Sequence, residues 1–395
     1  MNILIADKLA PSAIDQLEAL EAKVTVNPDL KADDLPKALG DSEVVIVRST
    51  KVTREAIEAA PSLALIIRAG AGVNTIDMEC ASSLGIHVAN CPGKNTDAVA
   101  ELALGLLIAA DRRIVNATND LREGKWRKKE YGKARGLKDR VLGVIGVGSI
   151  GKALIKRAQG LDMKVIAWSR SLTEEKAAAL GIAYCASPEK VAECADAVSL
   201  HLAVTPETKH FIGKKFLSHM KQDAILINAS RGEIVDTAAL KVAIKEKDLR
   251  VGLDVYENEP AASDPDFTDI ELAEAVSCTP HIGASTDQAS EAIAAEVVNI
   301  VSAYKSTGTP LNVVNIQDQS PAIKNMVVRH YNRVGVLAGI LDELRTAGIN
   351  IEEMQNIIFE GGHAASCTLK LDDSVSPQLL NKIAEGKDII QAALA

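Results

Sequence analysis

The fold is decided by Val141-Leu142-Gly143-Val144-Ile145-Gly146-Val147-Gly148-Ser149-Ile150-Gly151. The apolar, β-branched part of this run is typical of a strand buried in a parallel sheet. The glycines form a G-x-G-x-x-G pattern, and helical spacing follows directly. Gly146 would permit a tight turn, Gly148 would let the backbone approach a pyrophosphate, and Gly151 would let the helix pack on the strand. The stretch therefore predicts a dinucleotide-binding unit, with the pyrophosphate at the N-terminus of the helix.

Short apolar segments and helical segments alternate on both sides of this stretch, which is typical of parallel α/β units. The predicted strands are Asn2–Ala6, Lys23–Val26, Val44–Val47, Ala64–Arg68 and His87–Ala89 before it, and Lys164–Trp168, Ala197–His201, Ala224–Asn228, Arg250–Leu253 and Ala275–Cys278 after it. Long helices are predicted over residues 96–121 and 286–307, where they would connect two lobes. The predicted fold class is α/β, with two Rossmann-like, doubly wound parallel-sheet lobes.

The last part of the chain has a different pattern. Gly308-Thr309-Pro310 and residues 318–321 punctuate a linker. Strand and helix patterns then follow in the order β-α-β-β-α, with a last short strand near Ile389, as in a small ferredoxin-like α+β module. The predicted domains are a substrate-binding lobe (1–95 and 285–310), a dinucleotide-binding Rossmann domain (96–284) and a C-terminal module (322–395).

Length and composition exclude several classes of function. The 395 residues are enough for two or three domains, and the net charge of −9 argues against nucleic acid as a partner. No apolar run is long enough to predict a membrane span, and the first residues do not resemble a signal peptide. The six cysteines are scattered without a C-x-x-C pair, so we expect neither a disulfide framework nor a metal site. A cytoplasmic protein is the expectation.

Three polar residues follow predicted strands of the second lobe, where ligands of open α/β sheets bind. They are Arg231, Glu259 and His281. An arginine can hold a carboxylate and an adjacent carbonyl oxygen with its planar fork. A histidine can exchange the proton of an alcohol, and a carboxylate beside it favours the charged imidazole. Behind a dinucleotide site, this set suits hydride transfer between a 2-hydroxy acid and a nicotinamide.

The chain resembles the D-isomer-specific 2-hydroxyacid dehydrogenases over nearly its whole length. The motifs that carry the resemblance are residues 68–73, 146–151, 200–201, 229–232, 254–255 and 280–284. The resemblance implies that Arg231 holds the substrate, Glu259 supports the histidine and His281 is the acid/base. It also implies a cofactor site that comprises Gly146, Gly148, Ser149, Ile150, Gly151, Ser169, Arg170, Leu202, Ala229, Ser230, Asp254, Gly283 and Ala284.

Within the family, the chain is most similar to members that oxidise 3-phospho-D-glycerate to 3-phosphooxypyruvate, the first step of L-serine biosynthesis. The small phosphorylated hydroxy acid would place its carboxylate on the amides of Ala71, Gly72 and Val73. Cations for its phosphate would come from Arg48, Arg68, Arg127 and Lys128. Cations at the site of a multiply charged anion make physical sense in an acidic chain. The resemblance also implies a homodimer or homotetramer, in which residues 127–129 reach a neighbouring subunit.

The C-terminal module resembles an ACT domain, as seen in residues 328–337 and 348–351. Such modules bind small amino acids between two copies. The resemblance implies a regulatory domain whose L-serine effector is held by His330, Asn332 and Asn350. A module that only holds subunits together is the alternative.

The expected cofactor is NAD, but the sequence leaves NADP open. A ribose-binding acid is expected at the end of the strand Lys164–Trp168, and Ser169-Arg170 stands there instead. A carboxylate would repel a 2′-phosphate, whereas an arginine could pair with one. Two other functions also stay open. One is a glyoxylate or hydroxypyruvate reductase, and the other is an NAD(H)-sensing regulatory protein that uses the same fold as a switch.

Overall fold

The strands that the structure describes form two parallel sheets and one antiparallel sheet, which confirms the predicted fold class. A computed structural model describes residues 1–260, 266–317 and 322–395. These residues divide into two units, Met1–Asn315 and Ile316–Ala395. Part of the predicted linker, residues 318–321, lies outside the described residues.

The first sheet is five-stranded and parallel, with the order β2-β1-β3-β4-β5. Its strands are β1 (Asn2–Ile5), β2 (Lys23–Val26), β3 (Val44–Val47), β4 (Leu65–Arg68) and β5 (His87–Asn90), and its helices are α1 (Pro11–Ala19), α2 (Leu35–Ala38), α3 (Arg54–Glu58) and α4 (Met78–Ser83). The central strand β3 is Val-Val-Ile-Val and is buried throughout, because helices cover both faces of the sheet. Burial of each such side chain contributes about 2 kcal/mol.

Three helices leave the first sheet: α5 (Thr96–Arg112), α6 (Ile114–Arg122) and α7 (Lys128–Tyr131). The prediction of one helix over 96–121 is wrong, because Arg113 adopts a left-handed conformation, with φ of 51°, and separates α5 from α6. The Arg113 guanidinium lies 4.9 Å from the centre of the Tyr131 ring and 3.1 Å from the Glu130 carboxylate. These contacts hold a bend that no glycine or proline announces in the sequence.

The second sheet is seven-stranded and parallel, with the order β12-β11-β10-β9-β6-β7-β8. Its strands are β6 (Val141–Ile145), β7 (Lys164–Trp168), β8 (Ala183–Tyr184), β9 (Ala197–Leu200), β10 (Ile225–Asn228), β11 (Arg250–Leu253) and β12 (Ser277–Cys278), and its helices are α8 (Ser149–Gly160), α9 (Glu174–Ala179), α10 (Pro188–Cys194), α11 (Lys214–His219), α12 (Thr237–Lys247) and α13 (Ile270–Ala275). The predicted strand 275–278 is shorter than expected, since Ala275 ends a helix.

The register of the second sheet aligns the ends of its strands. Ile145 pairs with Trp168 and Leu200, and Asn228 pairs with Leu200 and Leu253. The residues that follow these strands therefore emerge along one edge. The long helix α14 (Asp287–Thr307) returns from this sheet to the first one, where its apolar face packs with residues of α1. Within the described residues, no helix combines the length and hydropathy needed to traverse a membrane.

The C-terminal unit contains a four-stranded antiparallel sheet with the order β14-β15-β13-β16. Its elements are β13 (Lys324–Tyr331), α15 (Val336–Thr346), β14 (Ile351–Ile358), β15 (Ala364–Leu371), α16 (Pro377–Ala384) and β16 (Ile389–Leu394). The alternating burial of β15 places every second residue in a core with both helices. The predicted β-α-β-β-α order with a last strand is confirmed.

Candidate functional site

The glycine turn after β6 is shaped for a dinucleotide. Gly146 has a φ of 97°, and a Cβ atom there would lie 2.2 Å from the carbonyl oxygen of His201. A Cβ on Gly151 would lie 2.2 Å from the carbonyl oxygen of Gly146, so the helix approaches the turn as closely as predicted. Gly148 faces open space and precedes α8, whose first amides have no partner within the helix. Ser149 and Ile150 begin this helix, and Leu202 lies beside the turn, 3.1 Å from the position of a Gly146 Cβ. The cradle fits a pyrophosphate.

The turn after β10 is organised by the buried side chain of Asn228. Its Nδ2 donates to the carbonyl oxygen of Arg231 at 2.9 Å. Its Oδ1 accepts from the amide of Ser230 at 3.1 Å and from the Ser230 hydroxyl at 2.7 Å. Ala229, Ser230 and Arg231 are thereby fixed at the edge of the sheet, where the first two were predicted to meet the cofactor and the third the substrate.

The loop after β12 is fixed in the same way by Asp254. This buried carboxylate accepts from the hydroxyl of Thr279 at 2.7 Å and from the amides of Ile282 and Gly283, each at 2.8 Å. A Cβ on Gly283 would lie 2.9 Å from Asp254 Oδ2, so this close approach requires glycine. Ala284 follows in the same loop. Asp254 therefore uses both oxygens within the protein and shapes the loop that carries His281.

His281 and Glu259 form a hydrogen-bonded pair. His281 Nδ1 lies 2.8 Å from Glu259 Oε2, and Glu259 Oε1 accepts from the amide of Tyr256 at 3.0 Å. The hydrogen bond to Glu259 raises the pKa of His281, against the effect of burial. Burial would raise the pKa of Glu259, but the bond and charge of His281 lower it overall. Because Nδ1 is engaged, Nε2 is the nitrogen left for proton exchange.

Arg231 joins this pair to the first lobe. Its charge acts on the pKa of both His281 and Glu259, so the predicted catalytic side chains lie close together. Its Nη1 donates to the carbonyl oxygen of Ser230 at 2.7 Å. A Cβ on Gly72 would lie 2.5 Å from its Nη2, so the guanidinium touches the loop that follows β4. The amides of residues 71–73 in that loop donate to no acceptor among the described residues.

Arg68 and Arg48 complete a cluster of three arginines with Arg231. Burial, with the charges of Arg231 and Arg48, lowers the pKa of Arg68 to about 10. Arg68 Nε is buried without a hydrogen-bond partner in the described part of the chain. None of the three guanidiniums lies within 4.0 Å of a described carboxylate. Cations that lack a carboxylate partner in the described part of the chain attract anions.

Comparison with known proteins agrees with this geometry. Residues 104–283 match the family model described as D-isomer specific 2-hydroxyacid dehydrogenase, NAD binding domain. The chain is 42% identical over 282 residues to a glyoxylate reductase of Thermococcus litoralis, covering 70% of this chain and 83% of that one. It is 38% identical over 318 residues to a D-3-phosphoglycerate dehydrogenase of Methanocaldococcus jannaschii, covering 80% of this chain but only 60% of that relative's length.

A solved structure extends the comparison. The NAD⁺-bound 3-phosphoglycerate dehydrogenase of Entamoeba histolytica is similar with a TM-score of 0.67 and 30% identity, covering 80% of this chain and 99% of that one. The chain belongs to the D-isomer-specific 2-hydroxyacid dehydrogenases. Its glycine cradle is that of the family's NAD-binding domain.

Other predicted site residues lie apart from the arginine cluster or in exposed segments. Arg127 pairs with Asp120 at 3.4 Å and with Glu130 at 3.5 Å, and Lys128 is exposed at the start of α7. Ser169 and Arg170 follow β7 beside the glycine turn, as the pairing of Ile145 with Trp168 requires.

The predicted effector residues do not meet within one copy of the C-terminal unit. His330 is buried, with Nε2 3.2 Å from Asn356 Oδ1, and Asn332 donates to the carbonyl oxygen of Gly362 at 3.1 Å. Asn350 bonds Asp372 and Glu352 at the other end of the sheet. The eight residues of β13 separate the two ends by about 20 Å. A site that contains all three therefore requires two copies.

Sequence reasoning missed the residues that support the site. Tyr256 acts through a tertiary hydrogen bond to Thr279, which no spacing in the sequence indicates. Asn228 bonds Ser230 and Arg231, two and three residues further along, which is a local pattern that asparagine commonly forms in turns. Asp7 could have been predicted from the sequence, because it follows β1 at the carboxyl edge of the first sheet. Its carboxylate accepts from the amides of Arg48, Ser49 and Thr50 at 2.7–3.1 Å and so shapes the loop that carries Arg48.

Proposed function

We propose that this dehydrogenase oxidises 3-phospho-D-glycerate to 3-phosphooxypyruvate, the first step of L-serine biosynthesis, with NAD as the hydride acceptor. Arg231 and the free amides of residues 71–73 would bind the carboxylate and the C2 oxygen of the substrate. His281 Nε2 would take the hydroxyl proton, and the negative charge of Glu259 would stabilise the resulting imidazolium. When bound, the dinucleotide supplies the nicotinamide that receives the hydride.

The observation that carries this proposal is the group of three guanidiniums that have no carboxylate partner among the residues that the structure describes. A glyoxylate anion carries one charge and needs one such group. A phosphoglycerate carries a carboxylate and a phosphate, and Arg48 and Arg68 would then serve the phosphate. The buried, unpartnered Nε of Arg68 is a donor that such a ligand would satisfy.

A second candidate function is a glyoxylate or hydroxypyruvate reductase. The 42% identity to the Thermococcus litoralis glyoxylate reductase favours it. A nucleotide-sensing regulatory protein would have no need for the pair of His281 and Glu259 at 2.8 Å beside Arg231.

Steady-state kinetics with phosphorylated and unphosphorylated substrates test the proposal. The expected wild-type preference is for 3-phospho-D-glycerate over D-glycerate. Arg48→Gln and Arg68→Gln should each raise KM for the phosphorylated substrate about tenfold, because each removes a charge-assisted hydrogen bond. D-glycerate kinetics should change much less. Arg54→Gln is the matched control, since this exposed arginine of the same lobe pairs with Glu58, Asp77 and Glu79.

The proposal would be contradicted by a wild-type enzyme whose kcat/KM for glyoxylate or hydroxypyruvate exceeds its kcat/KM for 3-phospho-D-glycerate and 3-phosphooxypyruvate. Because Arg68 is half-buried, the affinity of each variant for NADH should be measured alongside its kinetics, to show that the fold is intact. If Arg68→Gln fails to fold, the KM of the Arg48→Gln variant for the phosphorylated substrate tests the proposal by itself.

The proposed function also involves further copies of this chain and a small effector. We propose that the enzyme is a homodimer or homotetramer and that the C-terminal unit is an ACT-like regulatory domain. Two copies of this unit would form the L-serine site, because His330 and Asn332 of one copy lie far from its own Asn350. Arg127 and Lys128, which are exposed, would face the substrate site of a neighbouring subunit.

A further inference from the structure

A cavity lies at the edge of the second sheet opposite to the glycine turn. It is formed by the end of α5, by α7 and by the loop before β6, and its volume is about 200 Å³. Because this loop precedes β6 and the glycine turn follows it, the five residues of the strand separate the two by about 16 Å. The cavity is therefore distinct from the dinucleotide site. The residues that line it are Arg112, Tyr131, Gly132, Ala134, Arg135 and Gly136.

A buried ion pair fixes the loop that forms one side of the cavity. Asp111 and Arg140 are both buried, and Asp111 accepts from Arg140 Nη1 at 2.7 Å. Asp111 also accepts from the amide of Gly136 at 3.2 Å, and Arg140 Nη1 donates to the carbonyl oxygen of Gly136 at 3.3 Å. Both polar groups of the Gly136 backbone are thus held by one pair. The loop is anchored to the end of α5, so the cavity is part of the folded domain and needs no ligand to form.

The cavity is lined by hydrogen-bond donors that the protein itself uses little. Arg112 is exposed, and no carboxylate of the described residues lies within 4.0 Å of its guanidinium. Arg135 lies 3.7 Å from Asp196, which is beyond hydrogen-bond distance, and the same Asp196 oxygen accepts from Lys221 Nζ at 3.1 Å. The amides of residues 133–135 donate to no acceptor in the described part of the chain. Two guanidiniums and successive backbone amides are together suited to an anion.

The carboxylates beside Tyr131 are engaged by other groups. Asp120 accepts from the Tyr131 hydroxyl at 2.5 Å, and Glu130 accepts from Arg113 Nη2 at 3.1 Å. Residues 127–140 contain seven lysines and arginines but only two carboxylates, in a chain whose net charge is −9. This segment is therefore a local excess of positive charge, and its field attracts anions.

We propose that this cavity is a second anion site, which binds a small phosphate monoester or inorganic phosphate. Arg112 and Arg135 would bind the phosphate oxygens from two sides, and the amides of residues 133–135 would donate to the same group. The ligand is small, because pockets for drug-sized molecules measure about 300–1,000 Å³ and this cavity is smaller. The inference uses no residue of the proposed substrate site, so its failure would leave the proposed function untouched.

Hydrogen–deuterium exchange of the full-length protein saturated with NADH locates the site. Inorganic phosphate at low ionic strength should slow exchange at the amides of residues 133–135, because these amides would gain an acceptor. The same protection is expected in Arg48→Gln, in which the proposed substrate site is weakened. Acetate at the same ionic strength should protect these amides much less, since it carries one charge.

Variants separate the cavity from general positive charge. In the Arg48→Gln background, Arg112→Gln and Arg135→Gln should each weaken phosphate binding about tenfold, as measured by isothermal titration. Arg122→Gln is the matched control, because Arg122 is likewise an exposed arginine in the last turn of a helix but does not line the cavity. This control should leave the phosphate affinity unchanged.

Two results would overturn the inference. One is wild-type protein in which phosphate leaves exchange at residues 133–135 unchanged. The other is an equal loss of phosphate affinity in Arg112→Gln, Arg135→Gln and Arg122→Gln, which would reduce the effect to general charge. Retained NADH affinity shows that each variant is folded, and the exchange measurement on the wild type stands even if a variant fails to fold.

Discussion

At the scale of single residues, His281 is held in an unusual conformation. Its φ of 52° is uncommon for a residue with a side chain, and such strain persists where the surroundings impose it. Its amide donates to the carbonyl oxygen of Asp254 at 2.8 Å, and the Asp254 carboxylate holds the two amides that follow. The backbone thus presents the imidazole to Glu259, which raises the pKa of His281.

Glu259→Gln is expected to shift the pH dependence of the reaction. Alcohol oxidation needs a neutral imidazole, so its rate rises with pH through the pKa of His281, whereas carbonyl reduction needs the imidazolium and falls over the same range. The amide of glutamine can still accept from Nδ1 but carries no charge, so the pKa of His281 should fall. The oxidation profile should therefore move to lower pH, with turnover reduced tenfold or more.

The measurement is kcat/KM against pH in both directions. Glu257→Gln is the matched control, because this neighbouring carboxylate pairs with His210 instead. The control should leave the midpoint in place. A midpoint that does not move in Glu259→Gln would show that Glu259 does not set the pKa of His281.

At the scale of elements, Tyr256 in the segment that follows β11 contacts three parts of the site. Its hydroxyl donates to the carbonyl oxygen of Thr279 at 3.0 Å, two residues before His281, and its amide donates to Glu259. A Cβ on Gly232 would lie 1.9 Å from the Tyr256 carbonyl, so the turn that carries Arg231 packs against the same residue. Burial raises the pKa of the Tyr256 hydroxyl, which stays a donor at neutral pH.

Tyr256→Phe should therefore disturb the position of His281 while keeping the fold. The carbonyl of Thr279 would lose its partner, at a cost of about 1 kcal/mol in the free energy of unfolding. We expect kcat to fall several-fold while the KM for NADH stays unchanged. The pH profile of oxidation should move to lower pH, because His281 would no longer lie as close to Glu259. Tyr184→Phe, at a half-exposed tyrosine of β8, is the control for loss of a hydroxyl. Equal effects of the two variants would contradict a positioning role for Tyr256.

Most strands could be predicted from the sequence, whereas contacts between distant residues could not. Strands such as β3 and β7 were predicted to the residue, because an apolar run between turn residues has one interpretation. The strand ends then placed Arg231 and His281 on one edge. The bend at Arg113 depends on contacts with Tyr131 and Glu130, and the position of the loop before His281 depends on the hydrogen bond from Tyr256 to Thr279. Such contacts join residues distant in sequence, which local patterns cannot reveal.

At the scale of the whole molecule, α6 and the residues after it form an unusual surface, which we call the α6 face. It contains Ile114, Val115, Leu121 and Trp126, whose exposed fractions are 46%, 36%, 56% and 80%. No residue of α6 is buried. Ile114 and Leu121 lie two turns apart on one side of the helix. An exposed apolar surface of this kind is typical of a protein interface.

Leu121→Glu should therefore weaken the proposed association of two copies. A carboxylate at the centre of an apolar interface would have to be desolvated without a partner, which costs several kcal/mol per copy. Light scattering behind size-exclusion chromatography should show the wild type as an oligomer and the variant as a smaller species. In the wild type, burial of Trp126 should also shift its fluorescence to shorter wavelength at concentrations where copies associate. Leu84→Glu, at a leucine of the first lobe that is 55% exposed, is the matched control. If both variants keep the wild-type mass, the α6 face is not where the copies meet, and the exposed Arg127 beside it would then have no neighbouring substrate site to reach.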